Sequence, residues 1–199
     1  MDTRWLAGDL AFTIMGAEDL GGVAEMLADR RVCEHLNFGP NTREETLAYF
    51  GPMVAAIEEA LACGVAPENY LFAIHERGRF VGQCAALPIA FGGDNFLIGY
   101  QLRADAWGRG IGTAAAEFAL WFALDELGAR KVSADCLATN LGSATILERC
   151  GFVREGVLRA HFWVRGAPRD QLLWGLLPAE GGVDRRRLRA RFAPDRRRR

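Results

Sequence analysis

The chain has 199 residues, of which 50% are hydrophobic, and its 24 basic and 25 acidic side chains leave a formal net charge of −1. A chain of this length can bury one sizeable core, and this composition excludes an intrinsically disordered protein. No apolar run reaches the length of a membrane span, and the first residues lack the basic region and apolar core of a signal peptide, so we expect a cytoplasmic protein.

The cysteines and histidines show no pattern of a metal site. The five cysteines, at positions 33, 63, 84, 136 and 150, are scattered and odd in number, which favours reduced thiols. The three histidines, at positions 35, 75 and 161, do not stand at metal-ligand spacing from them. We therefore expect no metal.

The first third of the chain alternates between strand and helix patterns. Apolar residues recur on one side of the first helix, and Thr42 followed by Glu45 is a capping box that begins the second. The predicted elements are a strand at residues 10–15, a helix at 17–29, a loop at 30–40, a helix from 42 to about 62, and a loop at 63–69.

The rest of the chain contains most of the predicted strands. Runs at residues 70–76 and 80–88 flank a short turn and predict a hairpin. Gly128 and Gly151 end the two helices of this part. The further elements are a strand at 96–102, a helix from about 111 to 127, a strand at 131–137, a helix at 140–150, and strands at 152–158 and 171–177 around a turn at 166–168. Strands interspersed with helices predict an α/β sheet layered with helices.

The charge distribution is uneven along the chain. Residues 182–199 contain nine arginines, and the chain ends in four of them. Like charges at this density repel and stay solvated, so we predict a disordered, solubilising tail at residues 181–199 after a single domain at residues 1–180. Contact of this tail with RNA or another acidic surface is the alternative.

A glycine-rich turn at residues 107–113 is the most informative stretch. It reads Trp-Gly-Arg-Gly-Ile-Gly-Thr, and it lies between a predicted strand and a predicted helix. The first turn of a helix has N–H groups without partners, and glycines let a phosphate approach them without meeting a Cβ. The turn therefore predicts a phosphate or pyrophosphate ligand, with an ordinary glycine-rich turn as the alternative.

Two familiar phosphate motifs are excluded at this turn. A Walker loop ends in Gly-Lys-Ser/Thr, and Lys131 is the only lysine of the chain. The dinucleotide fingerprint needs a third glycine three positions after the second, and Thr113 stands there.

Several ordered segments together resemble the GNAT superfamily of acyl-CoA N-acyltransferases, and within it the bacterial RimJ/RimL-type branch, which is named for acetylation of ribosomal-protein N-termini. The resemblance covers about residues 8–178. The segments are Ile98-Gly99-Tyr100, the Trp107-Gly-Arg-Gly turn, Asn140-x-x-Ser143-x-x-x-Leu147-Glu148-x-x-Gly151-Phe152, Arg154-Glu-Gly-Val-Leu-Arg159 and Arg169-Asp170.

The resemblance implies a fold and a co-substrate. The fold is a mixed, mostly antiparallel central sheet that splays open at its middle, with helices on both faces. Acetyl-CoA would lie in the gap and act as co-substrate, with an amine as acceptor. The implied binding residues are the strand residues Tyr100, Gln101 and Leu102, the turn residues Trp107, Gly108, Arg109, Gly110, Ile111, Gly112 and Thr113, and Asn140 and Ser143.

Two of these implied roles have structural alternatives. Asn140 would hydrogen-bond the pantetheine arm, although asparagine also caps helices well. Ser143 would stand near the thioester sulfur, although it could be a solvent-facing serine of the first helical turn. Many family members have a tyrosine as general acid seven residues after the asparagine, where this chain has Leu147, so Ser143 is the available donor.

The reaction implied by the resemblance is direct acyl transfer to a neutral amine. Deprotonating an α-amine of pKa about 7.7 at pH 7 costs about 1 kcal/mol, against roughly 4.6 kcal/mol for a lysine. The RimJ/RimL-type branch can use a carboxylate base just after its Glu-Gly-x-Leu segment, where His161 is nearest in this chain. His161, with an ordinary pKa near 6.5, is our candidate base, and stacking in the last hairpin is its alternative role.

Three functions remain open from the sequence. The first is an N-acetyltransferase for protein or peptide N-termini, such as those of ribosomal proteins. The second is an acetyltransferase for a small amine, namely a polyamine, an amino acid or an antibiotic. The third is a noncatalytic acyl-CoA-binding module, and the chain would act as a monomer or homodimer.

Overall fold

The structure is a computed structural model that describes residues 3–180 and 182–192. Within this part of the chain, eight strands form one sheet in the order β1-β2-β3-β4-β5-β6-β8-β7. The strands are β1 Arg4–Ala7, β2 Leu10–Ile14, β3 Tyr70–Glu76, β4 Arg79–Pro88, β5 Asn95–Leu102, β6 Lys131–Leu137, β7 Val153–Val164 and β8 Ala167–Leu176. Neighbouring strands are antiparallel except β5 and β6, which are parallel. The predicted mixed, mostly antiparallel sheet is confirmed.

Helices cover both faces of this sheet. They are α1 Leu20–Ala28, α2 Arg30–Cys33, α3 Arg43–Ala62, α4 Ile111–Trp121, α5 Leu141–Arg149 and α6 Arg185–Arg191. Alternate residues of one strand point to opposite faces. In β3, Phe72 and Ile74 therefore join the core beneath α4, whereas Leu71 joins the core beneath α1 and α3.

The larger core is centred on Phe118 of α4. Its ring stacks on Phe12 at 4.2 Å between centroids and contacts Phe72 at 4.9 Å and Trp5 at 5.5 Å. A π-helical turn, Phe122–Glu126, continues α4 to the predicted end of the helix. This core holds β5 and the glycine turn that follows it in a fixed position.

Three features differ from the prediction. β1 was not predicted, because four residues are too short for a clear alternation, although its Trp5 is buried. Residues predicted as a loop include α2, whose start is capped by the Asp29 carboxylate, which accepts from the Arg31 N–H at 2.9 Å. β7 and β8 are longer than predicted and meet at a tighter turn, Arg165–Gly166, where both residues have positive φ as hairpin turns of two residues require.

The first part of the predicted disordered tail is a helix. Residues 185–191 form α6, which packs on α4, with Leu188 and Phe192 both buried. Repulsion among the arginines is offset because Arg187 and Arg191 pair with Glu117, and Arg185 and Arg189 pair with Asp125. Residues 193–199 lie outside the described residues.

No helix in the described ranges is both long and apolar enough to cross a membrane.

Candidate active site

The glycine turn joins β5 to α4 in the way the sequence predicts. A short 3-10 turn, Ala104–Ala106, follows β5, and α4 begins at Ile111. Gly108 and Gly110 have φ of +71° and +78°, a conformation that favours glycine. Within the described chain, no side chain caps α4, so the first N–H groups of this helix are available to an anion.

Contacts around the turn hold it open toward α5. The Trp107 indole N–H donates to the Leu102 carbonyl at 3.2 Å. A Cβ added at Gly112 would lie 2.9 Å from Cδ1 of Ile146, so glycine permits the close approach of α4 and α5 there. The Arg109 guanidinium pairs with Glu76 and is thereby directed to that carboxylate, which leaves its backbone N–H as the group the turn can offer.

A large cavity of about 580 Å³ begins at this turn. Its size is within the usual range for a small-molecule site. It is lined by Val32, His35, Leu36, Tyr100, Gln101, Leu102, Trp107, Gly108, Gly110, Gly112, Thr113, Asn140, Gly142, Ser143, Ile146 and Arg149. Ten of the residues predicted for the co-substrate are in this set, together with Arg149, a cation that the prediction did not include.

The parallel strands β5 and β6 separate soon after they begin. They pair only between Asn95–Leu97 and Lys131–Ser133, and beyond that point the two strands diverge. The predicted splay at the middle of the sheet is therefore present. The backbone of residues 98–102 keeps its bonds to β4 on one side, and its other side faces the gap.

A small cavity of about 140 Å³ occupies the gap and shares six lining residues with the large cavity. The shared residues are His35, Leu36, Tyr100, Gln101, Asn140 and Ser143. The others are Asn37, Phe38, Ile98, Gly99, Ala134, Asp135, Cys136, Leu137, Leu147 and Phe162. A molecule that extends from the glycine turn through the large cavity would end beside this second space.

Tyr100 and Ser143 stand at the junction of the two cavities. The Tyr100 hydroxyl and the Ser143 hydroxyl are 2.9 Å apart, and either of them can donate. Burial raises the pKa of Tyr100 far above its ordinary value, while the hydrogen bond to Ser143 acts in the opposite direction. The phenol is therefore protonated at neutral pH, and this pair can donate a proton into the junction.

Asn140 connects α5 to the loop after α2. Its side-chain oxygen accepts from the Ser143 N–H at 3.0 Å and so caps α5, while its amide N–H₂ donates to the His35 carbonyl at 3.2 Å. The capping alternative is therefore correct for Asn140, and the residue also lines both cavities. Arg165 supports the same loop by donating to the carbonyls of Cys33, Glu34 and Leu36.

Three predicted site residues lie apart from the cavity linings described above. Ile111 is buried in the core, and Arg109 faces Glu76. His161 is exposed with its ring 4.7 Å from that of Phe162, and Phe162, not His161, lines the small cavity. The base role of His161 stays a prediction without a contact to support it.

Sequence reasoning did not identify the carboxylate in the gap, Asp135. It lies on β6, and its Oδ2 accepts a hydrogen bond from Nε2 of Gln171 on β8. Gln171 is buried in an apolar strand pattern, where a polar side chain is the signal that could have found it, whereas Asp135 occupies an exposed position of β6. Their proximity depends on the pairing of β6 with β8, which sequence alone does not specify.

The cysteines near the site are protonated. Burial raises the pKa of Cys136, and it raises the pKa of Cys150 to about 12. Because the thiolate is the nucleophilic form, neither residue is suited to hold an acyl group during transfer. This favours direct transfer to the acceptor.

The sequence agrees with a known family over most of the region that builds these cavities. The acetyltransferase (GNAT) domain matches residues 10–153. This chain belongs to the GNAT acetyltransferase family. The matched region includes the glycine turn, β5, β6 and α5.

One relative of this chain among curated proteins is itself named as an acetyltransferase. The probable N-acetyltransferase YjcK of Bacillus subtilis is 31% identical over 113 residues, which are 55% of this chain and 62% of YjcK. The alignment thus spans less than two thirds of that relative.

Solved structures of the GNAT fold superpose over nearly the whole chain. Mycobacterium smegmatis RimJ, in complex with CoA-disulfide, has a TM-score of 0.75 at 21% identity and covers 95% of this chain and 94% of its own. Spermidine N-acetyltransferase from Vibrio cholerae, in complex with CoA and spermine, has a TM-score of 0.71 at 16% identity and covers 87% of this chain and 96% of its own. At these identities the likeness shows a shared fold.

Proposed function

We propose that this GNAT protein transfers an acetyl group from acetyl-CoA to the N-terminal α-amine of a protein or peptide. The observation that carries the proposal is the junction at Tyr100 and Ser143. One cavity reaches it from the glycine turn, and the other reaches it from the gap that contains Asp135. A two-substrate transfer needs two such spaces that meet at one point.

The large cavity fits acetyl-CoA. The unpartnered N–H groups at the start of α4 and the nearby Arg149 would hold the pyrophosphate, because both favour negative charge. The backbone edge of residues 98–102 that faces the gap would pair with the amide groups of the pantetheine arm. Bound in this way, acetyl-CoA supplies a thioester at the junction.

Protonated hydroxyls at the junction suit the departing sulfur. A thiol has a pKa near 8.5, so a thiolate is a moderate leaving group that a hydrogen bond can stabilise. The Ser143 hydroxyl, paired with the protonated Tyr100, would donate that bond. This arrangement gives the chain a donor although Leu147 stands where many relatives have a tyrosine.

The charge of the cavities favours an acceptor with one amine. Among the described lining residues, Asp135 is the single carboxylate, whereas a polyamine carries several cationic groups that need separate partners. An α-amine also costs about 1 kcal/mol to deprotonate at pH 7, against roughly 4.6 kcal/mol for a lysine. The structural neighbours include both acceptor classes, namely a RimL ribosomal L7/L12 α-N-protein acetyltransferase and the spermidine enzyme.

Thiol release from acetyl-CoA tests the proposal directly. The purified chain is incubated with peptides that differ in the first residue, and in parallel with N-terminally blocked copies of each peptide, polyamines, amino acids and aminoglycosides. We expect release with free peptides and none with the blocked copies. Turnover with small amines alone would make the chain a small-amine acetyltransferase. Binding of CoA without turnover of any amine would contradict acetyl transfer.

A further inference from the structure

We infer that Asp135 is the residue that receives the acceptor amine, with Gln171 as its positioning partner. The inference rests on the proposed function and names the residue that binds its acceptor. Where β5 and β6 diverge, β6 loses its partner on one side but keeps its ladder to β8 on the other. Asp135 lies on this one-sided stretch and borders the small cavity.

The Asp135 carboxylate is held from one side only. Within the described chain, the hydrogen bond to its Oδ2 comes from the Gln171 amide, which is buried with 7% of the residue exposed. A buried amide has few rotamers available, so it orients the carboxylate. The other oxygen, Oδ1, has no donor among the described residues and can bind a ligand.

The surroundings of Asp135 favour a cationic ligand. Among the described residues lining the small cavity there is no lysine or arginine, and its apolar members include Phe38, Ile98, Leu147 and Phe162. Asp135 is exposed, so water solvates its carboxylate in the free protein, and an ammonium group that displaces this water would form a charge-assisted hydrogen bond with it. Arg165 of the hairpin is already bound to the carbonyls of the α2 loop.

The size of the small cavity limits what can accompany the amine. Its volume of about 140 Å³ corresponds to roughly four or five waters at ~30 Å³ each. An amine with a short side chain fills such a space. The remainder of a peptide would extend outward past His35 and Phe38, which border the cavity.

Asp135 would act on the amine as follows. The ammonium gives one proton to the carboxylate, which passes it to water, and the freed lone pair attacks the thioester carbon. The new C–N bond forms, the C–S bond breaks with its electron pair on sulfur, and the hydroxyl pair of Tyr100 and Ser143 protonates the sulfur. The second nitrogen proton returns to that pair through water, so that an amide, a thiol and one released proton result.

The experiment compares wild type, Asp135→Asn and Glu148→Gln in two measurements. The first is the affinity of the CoA-loaded protein for alanine amide, by calorimetry, and the second is steady-state acetylation of a peptide. Asp135→Asn keeps the shape and removes the charge, and we expect about 10- to 100-fold weaker binding of alanine amide, because a charged hydrogen bond is lost. Glu148 is an exposed carboxylate of α5 outside both linings, so its variant should match wild type.

Affinity for CoA alone should be the same in all three proteins, which verifies the fold of each variant. Gln171→Leu should raise the KM for the peptide more than it lowers kcat, since it leaves the carboxylate in place but unoriented. Equal affinity of wild type and Asp135→Asn for alanine amide, absence of wild-type binding, or a loss in His161→Ala with none in Asp135→Asn would overturn the inference.

The two proposals can fail separately. Wild-type acetylation of peptides that persists in Asp135→Asn would leave the proposed function intact and remove Asp135 from it. Charge-dependent binding of alanine amide without any acetylation would support the amine site and contradict the proposed function.

Discussion

At the scale of single residues, the hydroxyl pair of Tyr100 and Ser143 is the proposed proton donor to the departing thiol. Tyr100 lies on β5 and Ser143 on α5, and the 2.9 Å contact between their oxygens crosses the end of the large cavity. Ser143 is held there because its N–H is bound by the Asn140 cap. Burial keeps the Tyr100 hydroxyl protonated at neutral pH, so the pair retains a proton that it can donate.

Removal of the Tyr100 hydroxyl should slow the reaction without weakening co-substrate binding. Tyr100→Phe retains the ring in its buried position, and we expect kcat to fall by about 10²-fold, the effect of losing a positioned proton donor. Ser143→Ala should give a similar loss, and the double variant little more, because the two hydroxyls act as one unit. Steady-state kinetics with an active peptide measures this.

Tyr49→Phe is the matched control, since Tyr49 is exposed on α3 and outside both linings. An unchanged kcat in Tyr100→Phe would remove the pair from the proposed chemistry.

At the scale of elements, α6 completes the larger core from outside the matched family region. Phe192, which is fully buried, packs on Phe12, Phe118 and Trp121 with centroid distances of 5.6, 5.4 and 6.1 Å. Asp184 caps the helix by accepting from the Arg187 N–H at 3.0 Å. Arg187 pairs with Glu117 of α4, and Arg185 pairs with Asp125 of the π-helical turn after α4.

Truncation of Phe192 should therefore destabilise the whole chain. Phe192→Ala creates a cavity in a core of packed aromatic rings, and we expect the free energy of unfolding to fall by about 3–5 kcal/mol. Chemical denaturation of the full-length protein measures the change.

Phe91→Ala removes the same group from an exposed position, and its effect should be within about 0.5 kcal/mol. Equal stability of the two variants would mean that α6 does not contribute to the core.

At the scale of the whole molecule, the larger core buries two cysteine thiols, Cys84 and Cys150, and thereby favours their neutral forms. Burial raises the pKa of Cys84 strongly and that of Cys150 to about 12, from 9.0 for an ordinary thiol. Above pH 9.0 the unfolded chain therefore releases protons that the folded chain retains. Stability falls with rising pH wherever the folded state binds more protons, and below that pH these thiols have no effect.

We expect a progressive loss of stability in alkaline solution. Between pH 9.0 and about 12, Cys150 alone should lower the free energy of unfolding by about 1.4 kcal/mol per pH unit. Chemical denaturation at several pH values in that window gives the slope, and Cys150→Ala should reduce it.

Cys63→Ala, at an exposed thiol, should leave the alkaline slope unchanged. The same slope in wild type and Cys150→Ala would contradict the assignment to buried thiols.

The sequence by itself determined most of the elements and the place of the glycine-rich turn between β5 and α4. Glycines at 108 and 110 permit the positive φ angles of their own turn, and the Thr42 capping box and the 3.6-residue periodicity of α4 are local in the same way. Asn140 could be identified as a cap or as a ligand residue, because both roles depend on its place at the start of α5. Such features are readable because they depend on neighbours along the chain.

Only the tertiary structure decided which distant residues are in contact. Tyr100 meets Ser143, and Asp135 meets Gln171, across 43 and 36 residues of chain, and each contact depends on strand order and on where β5 and β6 separate. Tertiary structure also decided that the arginine segment forms a helix, because Glu117 and Asp125, which are distant in the chain, pair with its charges. Periodicity reports which face of an element is apolar, but it contains no information about which other element covers that face.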